Sequence, residues 1–459
     1  MTFTTQRDSM GEVQVPAGAL YGAQTQRAID NVTISARTMP AHFIRCLAQV
    51  KRAAALANAA CGALDEAIAR AIAGAAEQVA GGAYGDQFPV GVFQTGSGTS
   101  SNMNMNEVLA RLASDSGGRQ VHPNDHVNCS QSSNDVIPSC IQVSAALALE
   151  QQLRPALQDL DEALKQRIEE LGNTVKTGRT HLMDALPITF GQEMGAWAYQ
   201  LEECQDRLEA LQPRLRALPI GGSAVGTGVN VPAGFAEEVV AALSQQLVSQ
   251  FTACGNPFAR MAGQDCAVEC SACLRAVAHV LVKINTDLRW MSSGPLAGLA
   301  EIQLQALQPG SSIMPGKVNP ILPEAALMAA TEVIGNDATI AMAARSGNFQ
   351  LNVMLPLIAD KLLGSIALLA GACDATASAV AGFTVNHQRL QANLARNPIL
   401  VTALNARIGY DAAAAIAKRA YAEQRPIIEV AEEDTDISRE ELERLLDPAR
   451  LTGFNQESG

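Results

Sequence analysis

The clearest pattern along the chain is a series of long apolar stripes that advance by three or four residues. Between residues 149 and 171, leucine and isoleucine recur at steps of 4, 4, 3, 4, 4 and 3, and a second stripe covers 194–218. A third stripe covers 266–288, and a helical pattern also occupies roughly 322–345 and 351–384. This spacing places apolar side chains on one face of an α-helix. Stripes of this length predict helices that pack lengthwise in a bundle.

Breaks in the pattern predict where these helices bend or end. Pro155 is expected to kink the first helix, because proline lacks the N–H that an inner helical turn requires, and Gly172 is expected to end it. Residues 362–370 are apolar on nearly every side. A helix without a polar face is predicted to be fully buried, which favours association between subunits.

The pattern divides the chain into three predicted domains, and the fold class is mainly all-α. Residues 1–131 form a mixed, mainly helical domain, with a short strand near 9–16 and helix near 41–80. Residues 132–386 form a central domain of bundled long helices. Residues 387–459 are more charged and shorter in period, and predict a small C-terminal helical domain.

Composition agrees with helices and limits the partners. Of 459 residues, 48% are hydrophobic and only 4% aromatic, which favours packed helices over sheets. The net charge of −13 argues against a nucleic acid or an anionic membrane as a partner. It does not argue against a small anionic substrate. No signal-peptide pattern and no uninterrupted apolar run of membrane length are found, so a cytoplasmic protein is expected.

The ten cysteines predict neither disulfides nor a metal site. They are scattered and mostly lie in helical patterns, as reduced thiols do. Cys266, Cys270 and Cys273 have the spacing of a radical iron–sulfur site, but they continue an apolar helical stripe, so we interpret them as core residues. His122 and His126 are separated by a turn and lack a third ligand. No metal or cofactor is predicted.

The stretch 310–324 carries the densest candidate chemistry. Gly310 and Gly316 flank Ser311 and Ser312, and Lys317 follows the second glycine. The loop leads into a helix for which Asn319 is the predicted N-cap. Lys317 and Asn319 would then lie at the positive end of the helix, where anions bind readily. The alternative is an ordinary connecting loop.

Three other stretches offer polar groups. Residues 94–107 and 131–135 bring neutral donors to two further helix starts, which can grip a dicarboxylate or merely cap the helices. His181 lies in a Gly/Thr turn after Arg179, and is either a proton-transfer group or a structural histidine. Residues 221–228 are glycine-rich but lack the Lys-Ser/Thr of a phosphate loop, so we interpret them as a tight connection.

Together these stretches resemble the fumarase/aspartase superfamily, and most closely the class II fumarase family, over nearly the whole chain. The matching stretches are GEVQVPAGALYGAQTQRA (11–28), FQTGSGTSSNMNMNE (93–107), HPND (122–125), SQSSND (130–135), GRTHLMDALP (178–187), GPLAGLAEIQLQALQPGSSIMPGKVNP (294–320) and SGNFQLNV (346–353). Aspartase-like relatives tend to carry Gln in place of His181 and Ala in place of Gly316, so both residues favour fumarase. The chain departs from relatives at His126 and Cys129, and Pro323 resembles the ammonia-lyase branch.

The resemblance implies a role for each matched residue in the reversible hydration of fumarate to L-malate, a tricarboxylic acid cycle reaction. Ser311 would be the base at C3 of malate, and His181, paired with Glu324, would activate water or protonate the departing hydroxyl. The substrate-binding residues would be Ser97, Thr99, Ser132, Ser133, Asn134, Thr180, Ser312, Lys317 and Asn319. A second dicarboxylate site would comprise Arg119, His122, Asn124 and Asp125.

The resemblance also implies an assembly: a homotetramer with a twenty-helix core and active sites shared by three subunits. Residues that act together therefore need not meet within one chain. No metal and no redox cofactor are required. Two alternatives remain open, an ammonia-lyase acting on aspartate and a non-catalytic structural protein built on the same scaffold.

Overall fold

A computed structural model describes residues 2–453 of the protein and places seventeen α-helices among them. The first nine are α1 Ala23–Asn31, α2 Ala41–Ala60, α3 Glu66–Ala80, α4 Thr99–Gly117, α5 Ser133–Ala148, α6 Arg154–Leu171, α7 Phe190–Leu215, α8 Phe235–Leu247 and α9 Pro257–Ala262. The others are α10 Asp265–Met291, α11 Ile321–Ala344, α12 Leu355–Gly382, α13 His387–Arg396, α14 Asn405–Ile408, α15 Tyr410–Glu423, α16 Ile427–Asp434 and α17 Arg439–Leu445.

Strands are short and occur only in pairs within the described part of the chain. They are β1 Phe3–Asp8, β2 Gly11–Pro16, β3 Val175–Thr180, β4 Met183–Thr189, β5 Ala217–Leu218, β6 Thr252–Ala253, β7 Ile302–Gln303, β8 Gly347–Asn348, β9 Leu351–Asn352 and β10 Thr384–Val385. The antiparallel pairs are β1–β2, β3–β4, β7–β10 and β8–β9, and β5–β6 is parallel. The mainly all-α fold class is thus confirmed.

The long predicted helices are confirmed as α6, α7, α10, α11 and α12. The residues of their stripes are buried, as Leu157, Leu201 and Leu281 illustrate. The predicted kink at Pro155 takes another form, because a π-helical segment, Leu149–Leu153, joins α5 to α6 just before the proline. Proline cannot donate to the preceding turn, and the wider π-turn accommodates that missing bond.

The chain forms two compact units, each from three stretches of sequence. The first unit comprises Met1–Pro155, Cys204–Ala278 and Ala329–Ala370, and the second comprises Ala156–Glu203, His279–Met328 and Gly371–Gly459. The divisions between these ranges fall within α6, α7, α10, α11 and α12. The end of the second unit has an apolar cluster of its own, centred on Leu404, Val430 and Leu442.

Among residues 2–453, α12 alone is long and apolar enough to cross a membrane by length and composition. However, 61% of the most apolar 18-residue segment of this helix is buried inside the protein. Such burial is typical of the core helix of a bundle. It also carries Asp360, which pairs with Arg37 at 3.4 Å. The predicted full burial of 362–370 is only partial in one chain, since Ala367 and Leu368 remain accessible.

Candidate functional site

In the first unit, hydroxyl groups from two predicted helix starts form one hydrogen-bonded chain. Ser97 Oγ lies 2.7 Å from Thr99 Oγ1, which lies 2.6 Å from Ser133 Oγ. Ser133 Oγ in turn donates to Asn134 Oδ1 at 3.4 Å. Residues 34 positions apart in sequence are therefore neighbours, and they offer neutral donors over a short distance.

Two glycines explain why the 94–99 turn has this shape. Gly98 precedes α4 with φ of 74°, a conformation that favours glycine. Gly96 packs so closely on the segment before α12 that an added Cβ would lie 1.8 Å from the Val353 carbonyl oxygen. The Gly96 carbonyl accepts from Leu355 N at 3.0 Å. The turn is thus held against residues 353–355, and Ser97 and Thr99 have fixed positions.

A buried carboxylate fixes the second helix start. Asp135 Oδ1 accepts from Ser132 N at 3.0 Å, and Ser132 Oγ accepts from Asn134 N at 3.2 Å, so Ser132 and Asp135 form a capping box at the start of α5. Asp135 Oδ2 accepts from Gly221 N at 3.0 Å and Ser223 N at 2.9 Å. The glycine-rich stretch 221–228 is therefore more than a connection, because it binds the carboxylate behind the hydroxyl chain.

Lys51 on α2 is the only fully buried ammonium among the residues described in the first unit. Its Nζ donates to Asn128 Oδ1 at 3.1 Å and to Gln131 Oε1 at 2.9 Å. Asn128 Oδ1 also accepts from Asn102 Nδ2 and Asn106 Nδ2 of α4, both at 3.0 Å. Lys51 thus joins the segment that leads to Ser132 with the helix that carries Thr99.

Burial changes the proton affinity of both charged groups in this region. It lowers the pKa of Lys51 to about 7, although the negative charge of Asp135 opposes that change. It raises the pKa of Asp135 to about 6, although the N–H groups of Ser132, Ser223 and Gly221, together with the charge of Lys51, hold it down. Since each charge moderates the shift of the other, removal of either should leave an uncompensated buried group.

Replacement of Lys51 by methionine is expected to destabilise the protein by about 3 kcal/mol. Methionine fills similar space, but it leaves Gln131 Oε1 without the donor of that bond and Asp135 without its cation. The midpoint and slope of urea unfolding measure the loss. Lys165→Met is the matched control, because Lys165 is exposed on α6 and pairs with Asp161. Equal stability of both variants would contradict this role of Lys51.

The four residues of the implied second site lie on the surface of the first unit. His122 Nδ1 lies 3.1 Å from Asp125 Oδ2 and accepts from Asp125 N at 3.1 Å. Arg119 Nη1 instead pairs with Asp65 Oδ1 at 3.3 Å, and Asn124 is exposed. His126 accepts from His122 N through Nδ1 at 2.9 Å. His126 therefore shapes the turn that carries this site.

In the second unit, His181 lies at the tip of the β3–β4 hairpin. Thr180 pairs with Met183, and the two residues between them, His181 and Leu182, have φ of 54° and 62°. Positive φ at both central positions matches the twist of the hairpin strands. Thr180 and His181 are exposed. Positive φ is uncommon for residues other than glycine, although histidine adopts it more often than most.

His181 lines a cavity of about 820 Å³ together with charged residues from the second unit. Lys176, Arg179 and Glu193 contribute from β3 and α7, and Lys283 and Asp287 contribute from α10. Trp197, Tyr199 and Trp290 provide apolar walls. The cavity thus combines an imidazole, charged groups of both signs and aromatic surface.

The loop at 310–320 is held by its own polar groups. Gly310 N donates to the Lys317 carbonyl at 2.8 Å, and Asn319 Nδ2 donates to the Gly310 carbonyl at 2.9 Å. Lys317 Nζ donates to Asn319 Oδ1 at 2.9 Å. The prediction of Asn319 as N-cap is wrong, because the Pro320 carbonyl accepts the first helical bond, from Glu324 N. The Asn319 amide closes the loop instead.

Ser311 is distinguished by the donors around its hydroxyl. Its Oγ accepts from Ile313 N at 3.2 Å and from Met314 N at 3.1 Å. The neighbouring Ser312 is exposed. Two backbone N–H groups that donate to one hydroxyl oxygen stabilise negative charge on that oxygen. An alkoxide at Ser311 would therefore cost less free energy than an alkoxide at a serine without such donors.

Lys317, Asn319 and Glu324 line one cavity of about 390 Å³ in the second unit. His181 lines the larger cavity instead, and Trp290 is common to both. Over residues 2–453, no hydrogen bond joins His181 to Glu324. The structure therefore gathers the loop residues with Glu324, but one chain does not supply the predicted histidine–carboxylate pair.

Several buried charges were missed from the sequence, among them Lys51, Asp135, Lys176 and Glu301. Asp135 had a detectable signal, since Ser132-x-x-Asp135 is a capping-box pattern. Glu301 lies between Ala300 and Ile302 in an apolar stretch, which is a local sign of a buried charge, whereas Lys51 is followed by Arg52 and has no such sign. Their partners are distant in sequence, so no local pattern identifies them.

Comparisons with known proteins identify the same family over nearly the whole chain. A family profile described as "Lyase" matches residues 11–335, and one described as "Fumarase C C-terminus" matches 400–453. A class II fumarate hydratase of Pseudomonas aeruginosa is 55% identical over 448 residues, 97% of this chain and 98% of that protein. A class II fumarate hydratase of Mycobacterium tuberculosis is 48% identical over 460 residues, 99% of this chain and 97% of that protein.

A solved structure gives the same answer for the fold. The crystal structure of class II fumarase from Schistosoma mansoni aligns with a TM-score of 0.96 and 36% identity, over 99% of this chain and 100% of that chain. Sequence identity over nearly the full length and the shared fold confirm the resemblance carried by the sequence stretches. The chain belongs to the class II fumarate hydratase family of lyases.

Proposed function

We propose that the protein catalyses the reversible hydration of fumarate to L-malate, as in the tricarboxylic acid cycle. The observation that carries the proposal is the geometry of Ser311, whose Oγ accepts two backbone N–H groups in the signature loop of a class II fumarate hydratase family member. Toward fumarate, a base must remove a weakly acidic proton from C3 of malate. Ser311 as an alkoxide is that base, because the loop N–H groups lower the cost of its negative charge.

Removal of the C3 proton places extra negative charge on the adjacent carboxylate, as an aci-carbanion. Donors must therefore be aimed at the carboxylate oxygens before the charge develops. Lys317 and Asn319 supply a cation and an amide next to the base. Neutral donors hold the substrate without adding competing charge: Ser97, Thr99, Ser132, Ser133, Asn134, Thr180 and Ser312.

His181 delivers the proton to the departing hydroxyl, or takes one from water in the opposite direction. Its exposed position at a hairpin tip makes the imidazole accessible to a substrate. Glu324 orients the imidazole and favours its protonated form. Because one chain places the two side chains in different cavities, the pair forms between subunits.

The assembly is a homotetramer whose active sites combine residues from three subunits. Support comes from α11, whose apolar residues are not confined to one face and which leaves Met328 and Met342 each 69% exposed in the single chain. We place the tetramer in the cytoplasm. Its subunit has three domains, 1–131, 132–386 and 387–459, and the apolar cluster at 400–446 supports the last of them.

A second dicarboxylate site is formed by Arg119, His122, Asn124 and Asp125. Arg119 and the histidine are exposed and can reach an anion by releasing their present carboxylate partners. The turn held by His126 sets the orientation of His122.

Incubation of purified protein with fumarate, in the presence and absence of ammonium, tests the function directly. We expect malate in both reactions and no aspartate in either, because His181 and Gly316 are the residues that favour a fumarase over an aspartase. Product identification by NMR separates the two lyase activities. Aspartate formed only with ammonium would indicate an ammonia-lyase, and no turnover at all would indicate a structural protein.

A further inference from the structure

Glu301 is a buried carboxylate that the proposed mechanism does not use. Its side chain is fully buried in the second unit, just before β7. Its Oε1 accepts from Arg179 Nη2 at 2.6 Å, and its Oε2 lies 3.2 Å from Lys176 Nζ. Lys176 Nζ also donates to Glu193 Oε2 at 2.7 Å. The four side chains form a buried charge cluster, which we name the β3 cluster.

The β3 cluster holds the strand that ends at Thr180, immediately before His181. Lys176 and Arg179 both belong to β3, and Arg179 is two residues before His181. Only Thr180 separates Arg179 from the left-handed turn, and Arg179 and His181 line the same cavity. The position of the Arg179 guanidinium therefore bears directly on the position of the imidazole.

Glu301 is itself rigidly placed. Its backbone N donates to the Met291 carbonyl at 2.8 Å, and its carbonyl accepts from Asn386 N at 2.9 Å. A carboxylate removed from water is costly unless it is paired in good geometry. The buried pair thus disfavours alternative positions of Arg179 and of the hairpin that follows it.

We propose that Glu301 is a positioning residue for His181, acting through Arg179: it fixes the hairpin tip and compensates the positive charge beside the imidazole. The inference rests on the proposed function, in which His181 exchanges the proton of the departing hydroxyl. Glu301 does not touch the substrate in this proposal. It sets the orientation and the electrostatic surroundings of the group that does.

The charges that face His181 are nearly balanced. Lys176 and Arg179 on β3 are matched by Glu193 on α7 and by Glu301, and on α10 Lys283 pairs with Asp287. Asp184 on β4 lies 3.8 Å from Arg179 Nε at the exposed edge. Removal of one buried charge therefore leaves an excess of one sign near the imidazole, and the sign depends on the partner removed.

Two neutral variants, Glu301→Gln and Arg179→Gln, test the inference through the pH dependence of malate dehydration. The rate of dehydration should fall at high pH, and this alkaline limb of the profile reports loss of the proton that His181 must deliver. In Glu301→Gln an unopposed Arg179 disfavours imidazolium, so the limb should move about 0.5 unit to lower pH. In Arg179→Gln the excess negative charge should move it by a similar amount to higher pH. Both variants should lose about tenfold in kcat with little change in KM.

Matched controls separate positioning from a merely structural role. Arg179→Lys keeps the positive charge and should return the alkaline limb to its original midpoint. Arg179→Gln leaves Glu301 paired with Lys176, so this variant does not create an isolated buried charge. Arg214→Gln and Glu269→Gln break an exposed pair elsewhere and should leave the profile unchanged.

Lower thermal stability with unmoved limbs, or two shifts of the same sign, would overturn the assignment. Absence of hydration by the unmodified protein would overturn the proposed function itself, and this inference with it.

Discussion

Replacement of Ser311 by alanine is expected to lower the turnover of malate by about 10²- to 10⁴-fold, the usual contribution of a positioned acid or base. Alanine removes the oxygen that accepts from Ile313 N and Met314 N. The loop keeps its Gly310–Lys317 and Asn319–Gly310 bonds, so its closure should survive. Fumarate formation, followed by ultraviolet absorbance of the new double bond, measures the loss.

Exchange of the C3 proton of malate with deuterated water makes this prediction specific to the base. Ser311→Ala should lose that exchange together with turnover, because both need the same proton removal. Ser116→Ala is the control, since Ser116 is an exposed serine whose hydroxyl donates only to the Ala113 carbonyl of its own helix. If Ser311→Ala exchanged the C3 proton at the normal rate, another group would have to be the base.

The helices were predictable because the apolar residues that they bury recur every three or four positions in the sequence. The stripe at 266–288 became α10, and its cysteines are buried or half-buried free thiols, as predicted. Each position in such a stripe is constrained by neighbours three or four residues away. Packing in the fold then selects the same face that the pattern marks.

Helix α11 shows where periodicity gives less information. Its apolar residues are spread around the helix, so the pattern does not indicate which side faces the rest of the chain. In the single chain Met328 and Met342 remain exposed, whereas Ala330 and Val333 are buried. Such a helix has more apolar surface than its own chain covers, and the sequence does not state what covers the remainder.

The candidate site was predictable in its residue types but not in its contacts. The sequence places Thr99 and Ser133 before two different helices, and only folding brings their hydroxyls to 2.6 Å. The bond from Lys51 to Gln131 spans 80 residues, and that from Arg179 to Glu301 spans 122. Partners this distant depend on how the helices pack, which no local pattern contains.

Replacement of His181 by asparagine is also expected to lower turnover by about 10²- to 10⁴-fold. Asparagine tolerates the left-handed conformation that His181 adopts at φ of 54°, so the hairpin tip should keep its shape. The substrate carboxylates are held by other residues, and KM should therefore change little. Leu182→Asn is the matched control, because Leu182 is the other left-handed residue of this turn and is exposed.

Mixing the two inactive proteins extends the prediction to the assembly. If each active site takes Ser311 and His181 from different subunits, tetramers that contain both Ser311→Ala and His181→Asn chains will include some sites with both groups intact. Co-expression of the two variants should then restore a measurable part of the turnover, although each variant alone has almost none. Full inactivity of verified mixed tetramers would mean that both groups of a site come from one chain. In that case the loop at 310–320 and the hairpin tip would have to approach each other within a subunit during turnover.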